Sequence, residues 1–319
     1  MKIFKDCTED QMTQAAQALI DGHLVAFPTE TVYGLGADAS NASAVSRVYE
    51  VKGRPKDHPL IVHISSVNHI THWASAIPDY AFELAARFWP GPMTLILPRT
   101  DLAKDFLTGN QNSVGLRIPS HPVAIELLRK FEELGGKGIA APSANKFGAV
   151  SPTSANDVED ELGESLNEFD LIIDGGTCEI GIESTIIDCT RKDPVILRPG
   201  FLTELAITEE FKLRISLDNS TIKHSGNLQN HYSPKAKVAI NKTPSPGDGL
   251  IALSHVLTPN NVTRLISPTN NNEFANQLYF AFRQGDRLGL SHISVLLPDN
   301  IDLGTAIIDR VLKAAAEKE

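Results

Sequence analysis

Apolar and polar positions alternate with two different periods along this chain. Near the start, Met12, Ala15, Leu19 and Ile20 recur at helical spacing behind a Thr8–Gln11 capping box, and Gly22 ends the run. LVAFPTETVYGL then reads as strand and loop. The spacing predicts a helix over 41–51, with Val45, Val48 and Val51 inward and Gly53 as its stop, and PLIVHI as the next strand. Proline near the first turn marks further helices over 78–88 and 122–134, with MTLILP and SVGLRIP as strands between them. GIAAPSAN, a helix over 154–162 and three strand-like runs follow: LIIDGG, ESTIIDCT and PVILRPG. Strands alternating with helices predict an α/β fold.

The pattern breaks near Ile215. SLDNSTIKHSGNLQNHYSPKAK is polar and poor in aliphatics, the composition of a linker. Beyond it, VAI, GLIALS, VTRLIS and ISVLLP read as short strands, with helical patterns over 273–283 and 306–316. The expected organisation is a main domain over 1–210, a linker over 211–236 and a smaller α/β domain over 237–319.

Composition narrows the functional classes. The 319 residues carry a formal net charge of −10, which disfavours strong nonspecific nucleic-acid binding, because phosphate contacts draw on clustered Lys and Arg. Three cysteines, Cys7, Cys178 and Cys189, have no zinc-ligand spacing and make a poor disulfide framework. The start, MKIFKDCTEDQ, has no apolar leader core, and no later run approaches a membrane span. A reducing cytoplasm is the expected home.

Several patterns invite chemistry. YGLGADA places Gly34, Gly36 and Ala39 in a G-x-G-x-x-A pattern, but the preceding PTET is too polar for the buried strand of a dinucleotide fold. Those glycines are expected to serve a tight turn and a close backbone approach. GGKG at 135–138 lacks the spacing of a phosphate-binding loop. His69 and His72 are expected on a surface helix, and His63 at a strand end. The stronger signal is a repeated juxtaposition of cations, hydroxyls and amides at strand ends: Lys52 and Arg54, Ser113 and Arg117, Ser143 and Asn145, Glu183 to Thr185, and Arg198. Ligands in α/β folds gather at such ends. If they converge, four cations surround one pocket suited to a polyphosphate and a carboxylate.

Taken together, FPTETVYGLGADA, KGRP…HPLIVHI, FWPGPMTLIL, VGLRIP, AAPSAN, GIESTIID and ILRPG resemble the YrdC-like family in its long, two-domain form, over roughly the first two hundred residues. The resemblance implies a twisted open sheet with flanking helices around a positively charged cavity, a linker across its mouth, and a smaller Rossmann-like C-terminal domain. It implies a nucleotidyltransferase that converts ATP, L-threonine and bicarbonate or CO2 to threonylcarbamoyl-adenylate and pyrophosphate, with Mg²⁺ carried by ATP. A separate tRNA-modifying transferase complex would use the product. By motif, Thr31, His63, Arg117, the Ala141 backbone and Ser184 are expected around L-threonine. Arg54, His58, Ser113, Ser143, Ser151 and Arg198 are expected around ATP, with Tyr232 closing over it. Lys52 and Asn145 join Arg54 and Ser143 as the expected catalytic set. His58 stands where many members have Asn, and the segment before the His-Tyr pair departs from the usual basic one. The alternative is an RNA-binding module of the same fold.

Overall fold

The computed structural model describes residues 1–211, 216–217, 222–223, 226 and 231–316. Its first helix, α1 (Glu9–Ile20), starts on a complete capping box, with Thr8 accepting from the Gln11 amide and Gln11 accepting from that of Thr8. Helix α2 (Ala42–Lys52) is N-capped by Asn41 and stopped by Gly53 at φ 61°, so Lys52 is its last residue. Further helices are α3 (Ile70–Trp73), α4 (Asp79–Phe88), α5 (Asp105–Thr108), α6 (Pro122–Glu133), α7 (Ala155–Leu162) and α8 (Glu204–Phe211).

Eleven strands form the main sheet: β1 (Lys2–Phe4), β2 (Val25–Phe27), β3 (Gly34–Asp38), β4 (Ile61–His63), β5 (Met93–Pro98), β6 (Ser113–Arg117), β7 (Ile139–Ala140), β8 (Leu171–Ile173), β9 (Thr185–Asp188), β10 (Val195–Arg198) and β11 (Ser216–Leu217). Their spatial order is β1-β8-β2-β3-β7-β4-β6-β5-β9-β10-β11. The sheet is mixed: β4 runs parallel to β6, and β5 to β9, whereas β2/β3, β5/β6 and β9/β10 are antiparallel. Two apolar clusters flank it, one built on Leu35, Val48, Trp73 and Leu95, the other on Phe4, Leu19, Leu127 and Phe131.

Sequence and structure differ at YGLGADA. Gly34 and Gly36 lie inside β3, not in the tight turn expected of them, nor in a strand-to-helix turn that could receive a pyrophosphate. A Cβ on Gly36 would sit 2.8 Å from Ile139 and 2.9 Å from Phe27, so the glycine is required by close packing across the sheet.

The smaller domain has four parallel strands, β12 (Lys237–Ile240), β13 (Gly249–Ile251), β14 (Thr263–Ile266) and β15 (His292–Val295), in the order β12-β15-β13-β14. Helices α9 (Asn271–Arg287) and α10 (Leu303–Ala315) complete it, each a few residues longer at its start than the sequence pattern indicates. Val32, Val150, Ile180 and Ile182 of the main domain join Phe274, Leu278 and Ile307 of the smaller one in a single buried cluster. The expected linker, 211–236, falls largely outside the described residues. Among the described residues no helix is long and apolar enough to cross a membrane.

Candidate active site

Strand register brings the separated motifs together. In the parallel pair β4/β6, His63 lies opposite Arg117, so both reach the same end of the sheet. The segment leaving β7 carries Ala141 to Ser143 alongside, where Ser143 forms an isolated bridge with Gly34. Arg198 ends β10 beside the start of β9, so its guanidinium donates to the Ser184 carbonyl at 2.9 Å and 3.1 Å and to the Ser184 hydroxyl at 3.2 Å. Gly53 turns the chain after α2 and delivers Arg54. Arg54, His63, Arg117, Ala141, Ser143, Ser184, Arg198 and Tyr232 thereby line one cavity. It measures about 50 Å³, far below the roughly 300–1,000 Å³ of ordinary ligand sites. Gly226, His231 and Tyr232 form part of its wall, and Tyr232 is fully buried.

The cavity is cationic inside an acidic protein. Among the described residues three guanidiniums reach it, against the single carboxylate of Glu183. Arg117 is held by Glu30 at 2.7 Å, both groups being buried, and the second Glu30 oxygen accepts from the Ser120 amide at 3.1 Å. Fixed this way, Arg117 keeps its Nε without a partner among the described residues. His63 Nδ1 also lacks one, and burial, reinforced by the Arg117 charge, drops its pKa to about 3. The ring is therefore neutral at ordinary pH. Burial lowers Arg54 to about 10, which still leaves it charged. Its guanidinium lies 5.6 Å from the Phe147 ring centroid and donates to the Pro59 carbonyl at 3.0 Å.

Other expected site residues stand behind the lining. Lys52 is buried, and its ammonium donates to the Ser143 carbonyl at 2.5 Å and to the Asn145 carbonyl, clamping the S-x-N segment from the rear. Burial and the Arg54 charge push its pKa well below the usual lysine value. Asn145 turns its amide to the Lys146 and Ala149 carbonyls at 2.8 Å and 2.9 Å. Thr31 lies one layer back with its hydroxyl 2.8 Å from that of Thr29, a lining residue. Ser151 is fully buried and donates to Glu183 at 2.6 Å. His58 packs edge-on against Phe147, ring centroids 5.3 Å apart, and its carbonyl accepts from Tyr49. Ser113, at the opposite end of β6 from Arg117, lines a separate groove with Gln111, Ile186 and Lys223 that shares only Ile61 with the cavity. Residues that sequence reasoning missed include Thr29, Val32, Tyr33 and His231 in the lining, and Glu30 behind Arg117. The polarity of PTET was the available signal for Thr29 and Glu30, and the His-Tyr pair that for His231.

Comparison with known proteins settles the ancestry of this arrangement. Residues 17–200 match the Sua5/YciO/YrdC family model, described as telomere recombination. The chain belongs to the Sua5/YciO/YrdC family. Residues 202–316 match a second model, that of a threonylcarbamoyl-AMP synthase C-terminal domain, so this member has the two-domain form. It is 39% identical to the threonylcarbamoyl-AMP synthase of Pyrococcus abyssi, over 94% of this chain and 93% of that one. Identity to the synthase of Schizosaccharomyces pombe is 32%, over 92% and 81% of the two chains. The crystal structure of P. abyssi Sua5 complexed with L-threonine is similar throughout, with a TM-score of 0.85, 36% identity and coverage of 99% and 97%. A variant of that protein with a His and a Tyr replaced by alanine matches with a TM-score of 0.86 and 35% identity, over 98% and 96% of the two chains.

Proposed function

We propose that this family member is a threonylcarbamoyl-AMP synthase, condensing L-threonine, bicarbonate or CO2, and ATP to threonylcarbamoyl-AMP and pyrophosphate. The observation that carries the reading is the convergence of Arg54, Arg117 and Arg198 with His63 and Ser184 on one recess, with Arg117 Nε and His63 Nδ1 left without partners among the described residues. The kinship to a protein crystallised with L-threonine supplies the amino-acid half of the pocket.

The chemistry suits these residues. The threonine amine attacks CO2, forming a C–N bond and releasing one proton from nitrogen, which gives a carbamate. A carbamate oxygen then attacks the α-phosphorus, the bond from that phosphorus to the bridging oxygen breaks, and pyrophosphate leaves. This step makes the enzyme a nucleotidyltransferase. Arg117, braced by Glu30, is oriented to bind the threonine carboxylate, and Arg54 and Arg198 offset charge on the phosphoryl oxygens. The neutral His63 ring gives the pocket a polar contact without added charge. A carbamate decomposes readily in water, so a small enclosed recess favours the sequence of steps. Tyr232 and His231 form part of the wall of that recess.

Mg²⁺ enters with ATP. Among the described residues no group of three His, Cys, Asp or Glu side chains is placed to hold a metal, and Glu30 and Glu183 are each engaged by arginine. The product passes to a tRNA-modifying transferase complex in the cytoplasm. Purified protein incubated with ATP, bicarbonate, Mg²⁺ and single amino acids should release pyrophosphate with L-threonine. Release independent of the amino acid, or none with threonine, rejects the reading.

A further inference from the structure

Glu183 is the cavity carboxylate, yet most of what holds it comes from the other domain. Arg310 of α10, fully buried, donates from Nε to Glu183 Oε2 at 2.8 Å. Tyr279 of α9 donates to the same carboxylate, 2.9 Å and 3.1 Å from its two oxygens. From the main domain Ser151 donates to it at 2.6 Å, and the Arg198 charge acts on it as well. Tyr279 and Arg310 also seat the linker aromatic: Tyr232 stacks on Tyr279 with ring centroids 5.6 Å apart, and the Arg310 guanidinium lies 5.2 Å from the Tyr232 centroid. Asp309 holds the far side of Arg310 at 2.7 Å.

We infer that Arg310 is a positioning residue for the active site, through which the C-terminal domain neutralises and orients Glu183 and seats Tyr232. A bare carboxylate beside Ser184 and Arg198 would compete with an anionic substrate for the guanidiniums. Arg310 removes that competition from behind the wall, without touching the substrate. The arrangement gives the smaller domain a task in catalysis with no ligand of its own. The inference rests on the synthase reading for its rate measurements but not for its binding measurements.

The test compares wild type with Arg310→Met, Glu183→Gln and the double variant. Arg310→Met strands a buried charge, and kcat/KM for ATP should fall about a hundredfold, with KM carrying more of the loss than kcat. Glu183→Gln in the same chain removes the charge that needed Arg310, and the double variant should recover about tenfold. A residue that merely glued the domains would behave oppositely, because the second substitution would remove more of the glue. Arg310→Met within about threefold of wild type, or a double variant no better than the single, overturns the inference. If Arg310→Met does not fold, Tyr279→Phe serves: it removes two contacts to Glu183, should raise KM for ATP about threefold to tenfold, and an unchanged KM would be decisive against. Should wild type make no product, the synthase reading fails separately. Calorimetric titration of ATP into the same four proteins then decides: weakened binding in Arg310→Met, restored in the double variant, supports the inference, and equal affinities overturn it.

Discussion

The two sheets use their strand ends differently. In the main domain, β4, β6 and β10 deliver His63, Arg117 and Arg198 to one recess. In the smaller domain the buried arginines lie on helices and face the neighbouring domain: Arg310 bonds Glu183, and Arg283 bonds Glu161 and the Val150 carbonyl. One domain is built to receive a ligand, the other to brace the first. Fold class alone does not tell them apart, since both are α/β. The distinction lies in where buried charge points, since Arg117 is already matched by Glu30 and Arg283 Nε and Arg310 Nη2 also lack partners among the described residues.

The largest expected effect tests the receiving half. Arg117→Ala and Arg198→Ala should each lower kcat/KM by about a hundredfold to a thousandfold, the range for loss of one preorganised donor. Because Arg117→Ala also strands Glu30, it is compared with Arg117→Ala/Glu30→Gln: the double variant should regain melting temperature but not rate. Recovery of rate in the double variant would mean that Arg117 acts through Glu30 alone.

Lys52 comes next and blurs the comparison usefully. It was read from sequence as a cation beside the phosphates, but its ammonium is engaged by the Ser143 and Asn145 carbonyls. Lys52→Met leaves the Asn145 carbonyl unmatched, at a cost of about 1–3 kcal/mol, while the Ser143 carbonyl keeps the Asn145 amide at 3.0 Å. Stability and turnover should therefore fall together, rather than turnover alone. An unchanged denaturation midpoint with lost activity would return Lys52 to the cavity.

Acid sensitivity should also separate the two halves. His63 and His231 both have pKa values lowered to about 3, chiefly by burial. Unfolded histidine takes up a proton near pH 6.5, whereas the folded rings stay neutral, so their effect is harmless above that pH and destabilises progressively as pH falls towards 3. Each ring contributes at most about 1.4 kcal/mol per pH unit in that window. Glu183 adds its own loss only lower. Burial would raise its pKa, but Arg310 and Arg198 outweigh that and hold it at about 2, so its stabilisation is complete above about 4.5 and lost as pH falls through 2. Melting temperature should decline between pH 7 and 5, with a shallower slope in His63→Gln/His231→Gln. Equal slopes would place the acid lability elsewhere.

What could be read in advance divides by distance along the chain. The capping box at Thr8, the stop at Gly53 and the strand-end cations Arg117 and Arg198 are written within a few residues, and they appear where expected, whereas Lys52 stands behind the cavity. Partners were not legible: Glu30 lies 87 residues from Arg117, and Glu183 127 from Arg310. A lysine at a helix C-terminus looks the same in sequence whether it faces a ligand or two carbonyls. Gly36 likewise looked like a turn glycine until Ile139, from β7, was seen packed against it.

The smallest predicted effect sharpens the bracing half. Arg287 also crosses the domain boundary, reaching Asp157 at 2.7 Å and Asp160 at 2.9 Å, but its side chain is 44% exposed. Asp157 uses its other oxygen to cap α7, so those bonds survive loss of the arginine. Asp157 is buried but keeps its amide donors, and with Arg287 and Asp160 exposed these pairs contribute about 0–1 kcal/mol. Arg287→Ala should thus leave kcat/KM for ATP within about twofold of wild type and stability within about 1 kcal/mol, measured beside Arg310→Met. If Arg287→Ala slowed turnover as much as Arg310→Met, docking of the whole domain, rather than the single contact with Glu183, would govern the site. A silent Arg287→Ala beside a crippled Arg310→Met instead locates the coupling at that one carboxylate, because both substitutions remove an interdomain charge and only one of those charges touches the cavity wall.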